Sequence, residues 1–266
     1  MSAGEYARLL EPLAELAAVA GHRILAIAPP DLATRSKADK SPVTAADEAS
    51  EAILREGLAR ILPGVPVIAE EGVAAGELPE PGREFFLVDP LDGTREFLAG
   101  LKEYAVNLAL MSGGVPKLGL IYAPASSTLY AGCGGSAIRA VLAPGGDFDR
   151  ARAAPIRARP RPTRLVVAVS RSHPDPATEQ LLATLPIERR LVMGSALKFA
   201  AVAEGLADSY PRLAPLSEWD VAAGHALVIA AGGSVQAPDG AALRYGMRVR
   251  GFRLGGFIAW GGPPAA

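Results

Sequence analysis

Residues 85–94 read FFLVDPLDGT, an apolar run that passes without a break into two aspartates three positions apart, a glycine and a threonine. The run demands burial, and carboxylates cannot follow it inward without partners, so the junction must lie at the edge of a core. Asp-Pro and Asp-Gly are also common turn-forming pairs, and an aspartate ahead of a helix is commonly a cap, so a turn alone would account for the stretch in isolation. Pro90 biases Asp89 toward extended backbone, and Gly93 and Thr94 stand where a helix continuing through TREFL begins. Such a helix start offers free N–H donors, and glycine lets the backbone come close to a phosphate. One turn can therefore present carboxylates for a metal and donors for an anion to a single substrate group.

Other acidic residues fall at similar edges. Thr44 and Asp47 form a capping-box pattern that opens a helix running to about Ile61, Glu70 and Glu71 follow a strand, and Asp220 opens a helix with Ser217 three residues before it. Each alone reads as a cap or a solvated turn residue. Together they form an oxygen donor set that suits a hard cation such as Mg²⁺. Zinc is not expected, because His22, His173 and His225 show no ligand spacing, and His22 and His225 read as ordinary helix residues.

Leu9, Leu13, Leu16, Ala20, Ile24 and Ile27 follow the spacing of one buried helix face that Pro29-Pro30 ends. Strands are expected over 65–69, 84–88, 104–111, 115–123 and 127–132, the last three as an antiparallel meander. Residues 147–164, rich in arginine and proline, read as a linker or an irregular edge strand; aspartates and missing aromatics argue against a nucleic-acid arm. A strand over 165–170, a helix over 175–185, a strand over 188–193, a helix over 195–205 and an alanine-rich helix from Trp219 then alternate as in an α/β unit. There is no internal repeat or heptad run.

With 27 basic and 28 acidic residues the formal net charge is −1, so no global field draws the chain to nucleic acid or an anionic membrane. The single cysteine, Cys133, cannot form an internal disulfide, and the acidic start lacks the basic and apolar order of a signal peptide. A mean hydropathy of +0.22 comes without any run long enough to span a bilayer. The expectation is a soluble, cytoplasmic protein.

SPVTAAD (41–47), AEEG (69–72) with VDPLDGT (88–94), and WDVAAGHALVIAAGG (219–233) resemble, in order and separation, the metal-binding motifs of the Mg²⁺-dependent, lithium-sensitive phosphatases of the inositol monophosphatase superfamily. The likeness runs from about residue 37 to 235. It implies an α/β (α+β) fold, a layered α-β-α-β-α sandwich. An N-terminal α+β lobe, 1–160, would carry most ligands, and a C-terminal α/β lobe, 161–266, would carry Asp220 and the substrate pocket. It further implies that Glu70, Asp89 and the Leu91 carbonyl hold one Mg²⁺ while Asp89, Asp92 and Asp220 hold another, with two or three ions in all. Thr94 paired with Asp47 would orient the attacking water, and the Gly93 and Thr94 amides would hold phosphate oxygens. One ion would lower the pKa of water and the other stabilise the leaving oxygen. Glu71 could support a ligand or simply be solvated, and Lys37 could lie near the phosphate or in a solvated loop.

GSALKF (194–199), YPRLAP (210–215) and SRSH (170–173) resemble the 3′(2′),5′-bisphosphate nucleotidases of the CysQ type, which release one phosphate from 3′-phosphoadenosine 5′-phosphate to give AMP. Ser195, Lys198, Arg212 and His173 could serve a second substrate phosphate, whereas a carboxylate would suit the hydroxyls of a polyol. The expected partner is a small phosphorylated nucleotide, and a homodimer is compatible with the sequence. Two readings remain beside this one: an inositol or sugar monophosphatase, and a non-catalytic Mg²⁺- and phosphonucleotide-binding protein. The tail keeps a GFIAWG ending but has glycines where the family pattern has an Asn-containing turn, which leaves its strand open.

Overall fold

The computed structural model describes residues 1–27, 35–36, 42–142 and 147–263. Lys37 lies outside the described residues. The helices Leu10–Leu25 and Ala45–Ile61 pair with each other and cover one face of a seven-stranded sheet. Of the face expected from spacing, Leu13, Leu16, Ala20 and Ile24 are buried, joined by Leu10 and Ala17, while Leu9 at the helix cap and Ile27 beyond its end at Leu25 are half-buried. Close approach of the two helices depends on Gly57, where a β-carbon would stand 2.2 Å from Leu16 Cδ1.

The seven-stranded sheet runs Val67–Ala69, Glu84–Asp92, Ala105–Ser112, Val115–Ala123, Thr128–Cys133, Ser136–Val141 and Ala154–Pro155. Only its first pair is parallel; the rest is antiparallel, with the expected meander. Ala105–Ser112 is buried along its whole length, because helices cover both faces of the sheet. On the second face lie the helices Leu197–Ala203 and Trp219–Ala230, which form a middle layer against a five-stranded sheet. That sheet has the order Ile187–Met193, Leu165–Ser170, Ser209–Arg212, Phe257–Trp260, Ser234–Gln236. The helix Pro176–Thr184 covers its far face through Leu182, against Leu165 and Val167. The layers are α-β-α-β-α, and structural neighbours share this fold. No helix among the described residues is long and apolar enough to cross a membrane.

Several elements differ from the expectation in ways that matter for the site. The strand expected to stop at Val88 continues to Asp92, and its register shifts: Asp89 faces Asn107 while Asp92 faces Ala105. Three steps along one strand match two on its neighbour. Pro90, which has no N–H for the ladder, lies within this one-residue bulge. Residues three apart in a regular strand point to opposite faces, and the extra residue cancels that alternation. Segment 147–164 is the irregular edge: a 3₁₀ turn at Arg150–Arg152 and the short strand Ala154–Pro155. It is anchored where Arg159 pairs through two hydrogen bonds, 2.7 and 2.9 Å, with the buried Asp208. The strand Ser136–Val141 was not foreseen, since its half-exposed residues carry little apolar signal. The glycine-rich tail forms Phe257–Trp260 between two other strands, and Gly256 adopts φ 116°, where a β-carbon would lie 2.9 Å from the Arg212 carbonyl oxygen.

The middle helix Trp219–Ala230 is built of small residues and sits directly on Gly119 and Gly132 of the first sheet. A β-carbon at Gly119 would stand 2.2 Å from the backbone oxygen of Ala223, which cannot swing aside. Gly119→Val is expected to cost about 2–3 kcal/mol by overpacking. Urea unfolding at an unchanged slope should show the loss as a lower midpoint, and an unaltered midpoint would contradict this packing.

Candidate active site

The bulged strand end, the first turn of Glu70–Ala74 and the start of Trp219–Ala230 face one cavity of about 270 Å³, lined by Glu70, Asp89, Leu91, Asp92 and Asp220. Glu70 and Glu71, expected in a turn, open a short helix. The buried Glu51 carboxylate holds that helix start, accepting from Glu71 N at 2.7 Å and Gly72 N at 2.9 Å. Asp89 Oδ1 accepts from Leu91 N at 3.1 Å, which folds the carboxylate back over the bulge. Asp92 Oδ2 accepts from Ala196 N at 2.5 Å and from Asn107 Nδ2 at 3.2 Å. Asp220 Oδ2 accepts from Ser217 N at 2.9 Å, the helix-start pair the sequence indicated.

Gly93 and Thr94 also line the cavity. Gly93 has φ 95°, and a β-carbon there would meet the Glu103 carbonyl oxygen at 2.9 Å, so both conformation and space call for glycine. Asp47 does not line the cavity; it stands one hydrogen bond behind it. Thr94 Oγ1 donates to Asp47 Oδ1 at 3.0 Å, with the Leu91 carbonyl a second acceptor at 3.1 Å. The other Asp47 oxygen is held by Thr44 N at 2.8 Å and Thr44 Oγ1 at 2.6 Å, the capping box anticipated from the spacing.

The opposite wall is basic and comes from the second half of the chain: His173, Ser195, Lys198 and Arg212 all line the same cavity. Lys198 is only 2% exposed. Its Nζ donates to the Ser195 carbonyl at 2.5 Å and the Met193 carbonyl at 3.4 Å, and lies 5.1 Å over the Tyr210 ring. Burial lowers its pKa to about 8, against the attraction of Asp92. Arg212 has a buried Nε without a partner among the described residues. Burial, reinforced by the positive Arg212 and Arg95, lowers the His173 pKa to about 4, so near neutral pH it acts as a neutral donor or acceptor and not as a cation. Ser195 adopts φ 51°, and its hydroxyl accepts from Leu197 N at 3.3 Å.

Sequence reasoning missed several members of this region, Arg95 and Arg253 of the cavity lining among them. Tyr210 lies under Lys198, and Asn107 holds Asp92 while its own buried Oδ1 has no partner among the described residues. Glu51 shares a helix face with Asp47, a four-residue spacing that could have drawn notice. Glu96, buried in the cavity wall, accepts from Ser172 Oγ at 2.6 Å and so ties the SRSH turn to the helix Thr94–Leu98. His225 is buried in its helix with Nδ1 2.8 Å from the Tyr245 hydroxyl, outside the cavity.

Among the described residues, no group of three or more His, Cys, Asp or Glu side chains stands ready to hold a metal ion. The donor chemistry nevertheless fits a hard cation, being all oxygen. Burial, and then the neighbouring Glu70, raises the pKa of Asp92; burial, Glu70 and Asp92 raise that of Asp220 to about 7. Carboxylates gathered against their own repulsion are what a divalent cation offsets.

A model of the inositol monophosphatase family matches residues 5–255 of the chain. Over 242 residues the chain is 39% identical to the Escherichia coli K12 protein named 3′(2′),5′-bisphosphate nucleotidase CysQ, a span covering 89% of this chain and 94% of that one. A protein of the same name from Buchnera aphidicola is 37% identical over 255 residues, covering 95% and 93%. The crystal structure of CysQ from Bacteroides thetaiotaomicron, described as a bacterial member of the inositol monophosphatase family, aligns with a TM-score of 0.75 at 34% identity, covering 95% and 98%.

A raised carboxylate pKa stabilises the fold through its protonated form, so the contribution of Asp220 is complete below the ordinary carboxylate range and fades as pH rises through about 7. Chelator-treated protein should therefore lose melting temperature between about pH 4 and the raised value, and excess Mg²⁺ should restore it most above neutrality. Thermal unfolding across this range, with chelator or with Mg²⁺, checks the prediction. A Mg²⁺ effect no larger at high pH than at low would contradict it.

Proposed function

Because this chain belongs to the inositol monophosphatase family, we propose that it is a Mg²⁺-dependent phosphomonoester hydrolase that removes the 3′-phosphate from 3′-phosphoadenosine 5′-phosphate, giving AMP and phosphate. The observation that carries this reading is the division of one cavity into an acidic wall of Glu70, Asp89, Asp92 and Asp220 and a basic wall with Lys198 and Arg212. A substrate with two phosphates matches both walls, whereas a polyol monophosphate would leave the basic wall without a charged partner. The names of the similar proteins support the same substrate class.

On this reading Glu70, Asp89 and the Leu91 carbonyl would hold one ion, and Asp89, Asp92 and Asp220 another. Bound Mg²⁺ supplies positive charge that screens the phosphoryl oxygens and makes attack by water feasible near neutral pH. The chain itself does the orienting. Thr94 Oγ1 commits its proton to Asp47 at 3.0 Å, which leaves its lone pairs to accept from the attacking water. Asp47, held rigid by Thr44, is the base toward which that proton relay leads. The Gly93 and Thr94 amides donate to oxygens of the scissile phosphate. Lys198 and Arg212 bind the second phosphate, and neutral His173 and Ser195 contribute hydrogen bonds.

Phosphate release from 3′-phosphoadenosine 5′-phosphate should depend on Mg²⁺, fall with lithium, and exceed that from inositol 1-phosphate. Faster turnover of the inositol ester would replace this substrate with a polyol phosphate. Asp89→Asn should lower kcat by roughly 10³-fold or more, as loss of a shared ion ligand implies. Arg212→Ala should instead raise KM roughly 10- to 100-fold, the scale of a lost charged hydrogen bond, with kcat little changed. Equal losses of kcat in the two variants would show that the walls do not divide the work in this way.

A further inference from the structure

Next to the catalytic cavity lies a second, larger groove of about 460 Å³, and Arg253 lines both. Arg244 and Arg250 line the groove beyond it. Among the described residues none of these three arginines makes an ion pair, whereas Arg159, Arg171 and Arg248 each reach a carboxylate within 3 Å. Arg253 Nη1 donates to Ser217 Oγ at 3.1 Å, which uses one of five guanidinium donors. The one acidic residue in the groove lining, Asp239, accepts from Ala241 N at 3.0 Å.

Placement gives the charges a direction. Gly256 lines the groove and packs against the backbone of Arg212, its missing β-carbon 2.9 Å from the Arg212 carbonyl oxygen. The groove thus adjoins the strand that carries the cation assigned above to the second phosphate. Arg212 and Arg253 line the catalytic cavity, and Arg253 lines the groove with Arg244 and Arg250. Solvated surface arginines need no ligand, yet three of them in one groove without an ion pair among the described residues, beside a phosphate site, match a chain of phosphates. A nucleic-acid groove would present aromatic rings for bases, and this lining has none.

We propose that the Arg244, Arg250 and Arg253 groove is a subsite for additional 5′-phosphates, so that the protein accepts 3′-phosphorylated adenine nucleotides carrying a 5′-diphosphate or 5′-triphosphate. The proposal rests on the nucleotidase reading above and leaves its chemistry unchanged. Water adds to the 3′-phosphorus, the bond from phosphorus to the ribose 3′-oxygen breaks, that oxygen takes a proton, and inorganic phosphate leaves.

The test compares kcat/KM for adenosine 3′-phosphate 5′-monophosphate and adenosine 3′-phosphate 5′-diphosphate in the wild-type protein and in the Arg244→Ser/Arg250→Ser double variant. Both positions are exposed, and an unchanged melting temperature confirms folding. The double variant is expected to lose roughly tenfold on the 5′-diphosphate through KM, the scale of two partly exposed charge contacts, and to stay within about twofold on the 5′-monophosphate. High salt should shrink the difference. An equal effect on both substrates, or none on either, overturns the groove while leaving the nucleotidase reading intact. A wild-type protein that turns over neither nucleotide removes both.

Discussion

The site depends on how Asp92 is held. Its Oδ2 accepts from Asn107 on the neighbouring strand and from Ala196 N, 104 residues further along the chain. One carboxylate therefore joins the bulged end of the first sheet to the start of a helix in the middle layer. Burial favours its neutral form and these donors favour its charged form. That balance is possible only because the bulge at Pro90-Leu91 turns Asp89 and Asp92 toward the same cavity. A regular strand would have sent one of them into the opposite layer.

Around this point the fold sets acidic and basic groups on opposing walls of one cavity. Acidic groups come from strand ends and helix starts of the first sheet, joined by Asp220 from the middle helix. Basic groups come from the second half, with Lys198 held by two backbone carbonyls and a tyrosine ring. The two walls depend on close packing of the middle layer. Gly119 and Gly132 let Trp219–Ala230 settle onto the first sheet, and Gly224 lets Phe199 lie against that helix, with its ring edge 2.2 Å from where a β-carbon would be. Glu218 fixes the tail by accepting from Gly246 N at 2.6 Å and Met247 N at 2.9 Å, which holds the loop leading to Arg253.

Much of this was legible in the linear chain. The capping box at Thr44 and Asp47, the helix from Trp219, the meander and most strands followed from spacing and turn residues, because those signals are local. The site residues named from motif positions all line the cavity except Asp47, which sits directly behind it. Other features were hidden. The bulge depends on which residue of the neighbouring strand lies opposite, and Ser136–Val141 earns its place as a strand by pairing, without a strong apolar pattern. Asn107 is one polar residue within an apolar strand, with nothing nearby in sequence to mark its contact with Asp92.

The sequence by itself determined the kinds of groups available and their order: hard oxygen donors, a glycine at the helix start, a threonine beside it, and the Lys198 and Arg212 cations in the second half. Short-range rules suffice there, since caps, turns and periodicity act over a few residues. Only the tertiary structure decided that Lys198 is buried, that His173 is neutral near pH 7, that Asp220 feels Glu70 and Asp92, and that Arg253 joins two cavities. Charge state depends on desolvation and on distances to groups far away in the chain, and those quantities come into existence only when the layers pack.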